Sequence, residues 1–548
     1  MTKQRLFLGA LGLVLALAIP LAAGPSGAEW DQMKKDFYRD FANADMGVKK
    51  SALERIAAVN TADAGKLLIS VYGAIKRDTD AQEKKIQVEI DDLENTLKSL
   101  RKNPSALSAG EQDRKAKLEA QVKVQSDAIQ KIKNESKNLL DTIAGAIGKF
   151  TDPAAVAELR ALVINKNSDW ADRYAVLSGL ISAKSSGVGS ICLEAAKDSD
   201  PRVRILALDA LLNLDECKAA ESLFVTAIED PAQWQIRLCG VSGAEKLRSK
   251  NGIAAMIRQL KKEDGRLRDD ISGALKRMIG MDFGYNALSW EEWWKTNGDK
   301  WDGKPIGGGA TAGKTEKSPG GAPGGTTTEP PTFFGLKITS KKIVFVLDVS
   351  GSMLDPSAPP EGADKPPPVV SGGGNGPAPA PWEPGLKGAK IDVLKYEFEK
   401  TMNKLEVKTT FNIIVFSDNP LQWKDKMQTA TPPIKAEAID FVKKQAAAGS
   451  TNTGDSLEKA FELAGNGLHD KSYAALVDTI YLMSDGMPCA GKWPTPDEVI
   501  KKVREWNVLS KVIINTVGMG DKALGPGNFN GQFLQSLSQM TGGIFVKR

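Results

Sequence analysis

The amino-acid sequence predicts an all-α N-terminal half followed by a C-terminal α/β domain built on a doubly wound sheet. Three observations carry that prediction. From about residue 30 to residue 301, apolar residues recur at helical spacing. Within that stretch, between 86 and 143, the spacing becomes the four-three alternation of a heptad seam. After a Gly/Pro/Thr-rich stretch, continuous apolar runs at 342–347 and 479–483 alternate with amphipathic helices.

A chain of 548 residues is too long for one core, and its length suggests roughly three or four domains. Charged residues make up 26% and hydrophobic residues 41%, an ordinary soluble composition. The formal net charge is +5, and two of those charges, Lys3 and Arg5, lie in a segment expected to be removed. So weak a field implies neither nucleic acid nor an anionic membrane as partner.

The N-terminus reads as a secretory signal peptide over residues 1–28. A short basic stretch precedes the apolar run 6–23, and Ser26-Gly27-Ala28 offers a small-x-small cleavage site before Glu29. An uncleaved N-terminal membrane anchor is the competing reading, because the run approaches the ~20 apolar residues of a spanning helix. Pro20 and the small-residue tail favour cleavage. The mature protein is expected to be exported, periplasmic or secreted, with no integral membrane segment.

From 29 to 80, Val48, Leu53, Ile56 and Ala57, then Leu67, Leu68 and Val71, form two apolar stripes broken near 60–63, a helix pair. From 81 to 147 the seam Ile86, Ile90, Leu93, Leu97, Leu100 is followed by Asn103-Pro104, which stops a helix. Ser108 and Glu111 fit a capping box opening a second helix. Its seam runs Leu118, Val122, Gln125, Ile129, Ile132, Ser136, Leu139, Ile143. Two heptad helices joined by a short breaker predict an antiparallel hairpin; an intermolecular coiled coil is the alternative.

From 148 to 301 a weak repeat appears. Helix openings are expected at Asp169, Asp200, Asp230 and Asp264, starts that lie 31, 30 and 34 residues apart. Asp200-Pro201 and Asp230-Pro231 suit an N-cap followed by proline at the first helical position. Asp200-Pro201-Arg202-Val203-Arg204 with Ala207-Leu208-Asp209-Ala210-Leu211 resembles short HEAT-type repeats, and that resemblance implies stacked helix pairs with protein-binding surfaces. The pair at 29–80 looks like a related unit, so the hairpin reads as an insertion in the array. Trp290, Trp293, Trp294 and Trp301 are expected to cap its end.

Residues 302–334 read as a flexible linker. Within it, 308–315 satisfies the GxxxxGK[ST] pattern, but glycine and proline surround it where a strand and a helix are required, so no nucleotide is expected. Cys192, Cys217, Cys239 and Cys489 are too sparse for a disulfide framework or zinc site. The first three read as buried apolar residues, with one disulfide among them as an alternative. The lone His469, read as a helix-end surface residue, leaves histidine-based catalysis without partners.

The strand 342–347 ends in Asp348-Val349-Ser350-Gly351-Ser352, which places one carboxylate and two hydroxyls at the C-terminal end of a buried strand. Thr451 lies in the hydroxyl-rich loop 449–455, and the strand 479–484 ends at Asp485. Hard oxygens select Mg²⁺, Mn²⁺ or Ca²⁺ over softer metals. Order, spacing and context resemble the metal-ion-dependent adhesion site of the von Willebrand factor A (VWA) family over about 200 residues, 335–548. That resemblance implies a Rossmann-like domain in which Ser350, Ser352 and Thr451 ligate a divalent cation directly, Mg²⁺ first. Asp348 and Asp485 would act through waters, and an open position would take an acidic side chain of a protein partner. Two departures stand out: a Pro/Gly-rich insertion at 355–386, and Cys489 where a small hydroxyl residue is the family's choice.

The resemblance implies an exported, non-enzymatic adhesion or scaffold protein. An alternative makes the helical array the main binding module and the metal structural. A metal-dependent hydrolase using Asp348 or Asp485 is the least supported reading, because the resemblance implies a site without a placed base, whose open position takes ligand carboxylates.

Overall fold

The computed structural model describes residues 25–100, 109–305, 330–356, 388–465, 476–520 and 531–548. The apolar run of the expected signal peptide, the GxxxxGK[ST] segment, Ser108, nearly all of the insertion and His469 lie outside these residues. The chain forms two compact units, Met1–Val188 and Gly189–Arg548. The dividing point falls within the span 148–301.

In the first unit, α1 (Gly27–Phe41), α2 (Met46–Ala58), α3 (Ala62–Leu100), α4 (Ala109–Ile147), α5 (Pro153–Ile164) and α6 (Trp170–Ser182) pack as helices alone. Ser26 and Glu29 form a capping box at the start of α1, so the expected cleavage site falls inside its first turn. The boundary at 80 disappears, because α3 runs unbroken from the helix pair into the heptad segment. The heptad stripe continues the helical period, and no residue near 80 interrupts it.

α3 and α4 run antiparallel within one chain. Thr79 Oγ1 donates to Ser136 Oγ (2.8 Å), Lys133 pairs with Glu83 (2.7 Å), and Gln125 Nε2 donates to Glu89 (2.8 Å). The polar Ser136 and Gln125 on the seam are thus satisfied across the pair. At the base, Thr151 donates its N–H to Asn60 Oδ1 (2.8 Å), tying the turn before α3 to the turn after α4. α4 and α6 meet backbone to backbone: a Cβ on Gly179 would lie 2.4 Å from the Ala144 carbonyl.

The second unit begins with α7 (Val188–Ala195), α8 (Pro201–Leu211), α9 (Glu221–Ile228), α10 (Trp234–Leu247), α11 (Lys250–Leu260), α12 (Arg266–Ile279) and α13 (Ala287–Asn297). Asp200 caps α8 as its Asp-Pro pair predicts. Asp230 does not cap a helix. It accepts the N–H groups of Ala232 and Gln233 in a turn, and α10 starts later, at Trp234. Asp264 does not cap one either, since Gly265, at φ 67°, stands at the N-cap of α12. Trp290 and Trp301 are buried against α11 and α12, with Trp293 and Trp294 partly buried beside them.

The α/β domain follows in the same unit. A hairpin, β1 (Thr332–Phe333) and β2 (Leu336–Lys337), precedes β3 (Lys342–Asp348), α14 (Lys390–Lys404), β4 (Thr410–Phe416), β5 (Pro420–Gln422) and β6 (Gln428–Thr429). Then come α15 (Pro432–Lys443), α16 (Thr453–Leu463), β7 (Thr479–Ser484), α17 (Pro496–Ser510), β8 (Ile513–Gly518), α18 (Gly531–Thr541) and β9 (Phe545–Lys547). Phe333 and Phe334 are fully buried in its core, so the domain starts before the expected boundary at 335. Composition hid this, because the two rings follow the Gly/Pro/Thr stretch directly.

The sheet order is β5-β4-β3-β7-β8-β9. The β4–β3–β7–β8–β9 pairings are parallel, and β5 and β6 pair antiparallel with β4. Ile343, Phe345 and Leu347 face α14 and α15, while Val344 and Val346 face α16, α17 and α18. Both faces being covered explains the unbroken apolar run of β3. The chain leaves β3 to one side for β4 and later to the other for β7, which opens a crevice at the C-terminal ends of β3 and β7.

Candidate metal centre

Asp348 ends β3 and is fully buried. Its Oδ1 accepts the Ser350 N–H (2.8 Å) and its Oδ2 accepts the Ser484 hydroxyl (2.6 Å). Burial raises the Asp348 carboxyl to about 6, opposed by the Ser350 and Ser484 hydrogen bonds and reinforced by the charge of Asp485. Ser484 was not among the residues expected at the site. As the last residue of β7 it read as part of an apolar strand, yet its hydroxyl fixes the carboxylate of the neighbouring strand.

Ser350 Oγ and Ser352 Oγ lie 3.2 Å apart, and Ser352 Oγ donates to Asp485 Oδ1 (2.8 Å). Backbone bonds hold this turn against the third segment: Gly351 N donates to Gly449 O (2.9 Å), and Ala448 N to Val349 O (3.0 Å). Thr451 follows in that segment and is buried. Its Oγ1 sits so close to Gly486 that a Cβ there would lie 3.1 Å from it. Gly486 is next to Asp485, so β3, the 449–451 loop and β7 bring all five expected residues to one crevice.

Cys489 is exposed and on the same rim. Its N–H donates to Thr451 O (3.0 Å), and its sulfur accepts the Thr451 N–H (3.5 Å). Cys192, Cys217 and Cys239 are buried free thiols, and burial pushes Cys192 and Cys239 up to about 12. No disulfide links them.

Sequence reasoning missed Lys390. It opens α14, its side chain is only 7% exposed, and its Nζ lies 2.7 Å from Asp485 Oδ2 and 3.6 Å from Asp355 Oδ2. Its signal was hidden because the Pro/Gly-rich insertion separates it from Ser352 in the sequence. Pro356 and Ala389 pair as an antiparallel bridge, which brings the two ends of that insertion together beside the crevice.

The donor chemistry suits a hard divalent cation. Two buried carboxylates and three hydroxyls converge, with no imidazole beside them among the described residues, and the carboxylates press on each other electrostatically. Among the described residues no cluster of three or more His, Cys, Asp or Glu side chains is arranged to hold a metal, at this crevice or elsewhere, so a cation here would rest on hydroxyls as much as on carboxylates. None of the described helices is long and apolar enough to cross a membrane.

Residues 386–546 match the model of the von Willebrand factor type A domain. The mouse inter-alpha-trypsin inhibitor heavy chain H3 is 26% identical over 211 residues, 38% of this chain and 19% of that protein. The human heavy chain H4 is 26% identical over 172 residues, 31% of this chain and 15% of that one. The chain thus spans about a fifth or less of the length of these relatives. Among solved structures, a von Willebrand factor type A protein from Catenulispora acidiphila aligns with a TM-score of 0.27 at 14% identity, covering 39% of this chain and 40% of that one. The C-terminal α/β domain, with its parallel-centred sheet, is thus the part of the chain that matches the von Willebrand factor type A domain in sequence.

Proposed function

We infer that this is an exported, non-enzymatic binding or scaffold protein whose VWA domain captures a protein partner through a divalent cation, Mg²⁺ before Mn²⁺ or Ca²⁺. The observation that carries this reading is the convergence of Asp348, Ser350, Ser352, Thr451 and Asp485 from three separated segments on one crevice. Ser350, Ser352 and Thr451 would hold the cation, and Asp348 and Asp485 would act on it through water. The cation supplies a positive centre for an acidic side chain of the partner. The chain's own part is to keep two carboxylates buried and oriented, through the Ser350 N–H, the Ser484 hydroxyl and the Ser352 hydroxyl. Among the described residues no imidazole or other placed base accompanies them, which favours capture over hydrolysis.

The N-terminal basic and apolar pattern supports export. The helical half would supply reach or a second contact. A pull-down from envelope and secreted fractions with the full chain tests the reading. Capture in Mg²⁺ that is lost with EDTA and with Asp348→Ala, while the domain stays folded by circular dichroism, is the expected result. Identical captures with and without chelator would sink it and leave the helical array as the binding module.

A further inference from the structure

We propose that Lys390 is a tethered cation that competes with the divalent ion for Asp485, moving outward to Asp355 when the ion enters. This inference rests on the divalent-cation reading given above. The two carboxylates of the crevice are buried side by side, and the side chain of Asp485 is only 1% exposed. One of its oxygens accepts the Ser352 hydroxyl, and the other is held by the Lys390 ammonium at 2.7 Å. Both oxygens that would receive metal-bound water are therefore already engaged, one of them by a full positive charge.

A buried carboxylate without a counter-charge is costly, so the ammonium stabilises the crevice before any ion arrives. The same ammonium repels an incoming divalent ion across a short, poorly solvated gap. The structure also provides a place for the displaced charge. Asp355, with its side chain 54% exposed, lies 3.6 Å from Lys390 Nζ on the outer side. The Lys390 N–H donates to the Asp355 carbonyl (3.0 Å), and the Pro356–Ala389 bridge holds the two strands of chain together there. The backbone therefore stays fixed while four methylenes carry the charge between an inner and an outer carboxylate.

Mg²⁺ titration of the full chain by calorimetry, with thermal melting, tests this. Lys390→Met is expected to bind Mg²⁺ roughly tenfold or more tightly than the wild type, as removal of a buried like charge implies. Without Mg²⁺ it is expected to melt earlier, and Mg²⁺ restores the loss. Asp355→Asn is expected to weaken Mg²⁺ binding in the wild-type background and leave it unchanged in Lys390→Met. If the wild type binds Mg²⁺ and the variant binds it equally or more weakly, Lys390 is a support and the proposal falls while the cation reading stands. If neither protein binds Mg²⁺, Mn²⁺ or Ca²⁺, the cation reading fails and takes the proposal with it. Should Lys390→Met not fold, the wild type decides alone through acetylation by an amine-reactive ester read by mass spectrometry. Lys390 is expected to be protected without Mg²⁺ and labelled faster with it, and equal labelling overturns the proposal.

Discussion

The two ends of the VWA sheet bury carboxylates in opposite ways. At the C-terminal ends of the strands, Asp348 and Asp485 face hydroxyls, a backbone N–H group and one buried lysine. At the N-terminal ends, Asp478 precedes β7 and Asp270 lies on α12 of the helical repeats. There the counter-charge is Arg266, whose Nη1 donates to the carbonyls of Asp478 (2.8 Å) and Lys511 and whose Nε lies 3.3 Å from Asp270. The guanidinium also lies over the Trp234 ring, 5.1 Å from its centroid. Ser340 and Thr479 hydroxyls donate to Asp478, and Lys511 pairs with Asp209 of α8. Burial raises Asp270 to about 6, with Arg266 opposing the rise. A buried acid alone does not mark a functional site. An arginine forked among carbonyls closes one end of the sheet as a domain junction. At the other end the carboxylates meet hydroxyls and a lysine on a long flexible stem instead of a forked guanidinium.

That contrast is broken most severely by removing its fixed partner. Arg266→Ala strands two buried carboxylates and is expected to cost about 3–5 kcal/mol in urea unfolding of the second unit. Mg²⁺ titration should be unchanged, since the sheet separates the two ends; a parallel loss of Mg²⁺ binding would show the ends to be coupled. The reverse experiment is Asp348→Asn. It is expected to abolish Mg²⁺ binding yet raise the cation-free stability at pH 8 by roughly 1–2 kcal/mol, because a carboxyl whose folded pKa is raised is costly when ionised. A lower cation-free melting temperature would contradict the assignment of strain to that charge.

The pH dependence of Asp270 sharpens the comparison further. Its folded pKa, about 6, stands above the ordinary value of 3.8. Its contribution to stability is therefore fully present below about pH 4 and is lost as pH rises through about 6. Asp270→Asn is expected to melt a few degrees above the wild type at pH 8, with the difference vanishing near pH 4. A difference independent of pH would point to packing instead. The smallest effect is expected at Cys489, whose exposed thiol makes only a long bond to Thr451. Cys489→Ser should change stability by less than about 0.5 kcal/mol and Mg²⁺ affinity by less than about twofold.

The legible parts of the fold were those where burial leaves a continuous record. β3, β4 and β7 are covered on both faces, so their central residues are mostly apolar, and the polar residues at the ends of β3 and β7 mark the crevice. The stripes of α2 and α3 were equally plain. β5 and β6 were not, being two or three residues long with no period to read. Asp230 looked like a helix cap because Asp-Pro is one, but its side chain closes a turn ahead of α10. Lys390 and Arg266 were invisible for a shared reason. Each opens a helix, and the contacts that matter most, Asp485 for Lys390 and the Asp478 and Lys511 carbonyls for Arg266, come from segments far away in sequence. The boundary between the two compact units at residue 188 was also hidden, because helix periodicity does not say which neighbour a helix will choose.

The Pro356–Ala389 bridge has a practical consequence for anyone who wishes to modify this protein. Because the two ends of the intervening stretch are clasped, the distance it must span is fixed and short. Changing its length then costs little, about 0.6 kcal/mol for each doubling. A peptide epitope, a protease site or a whole fluorescent domain grafted there would hang from the clasp without loading β3 or α14. It would also sit beside the crevice of Asp348 and Asp485, within reach of the surface proposed to capture a partner.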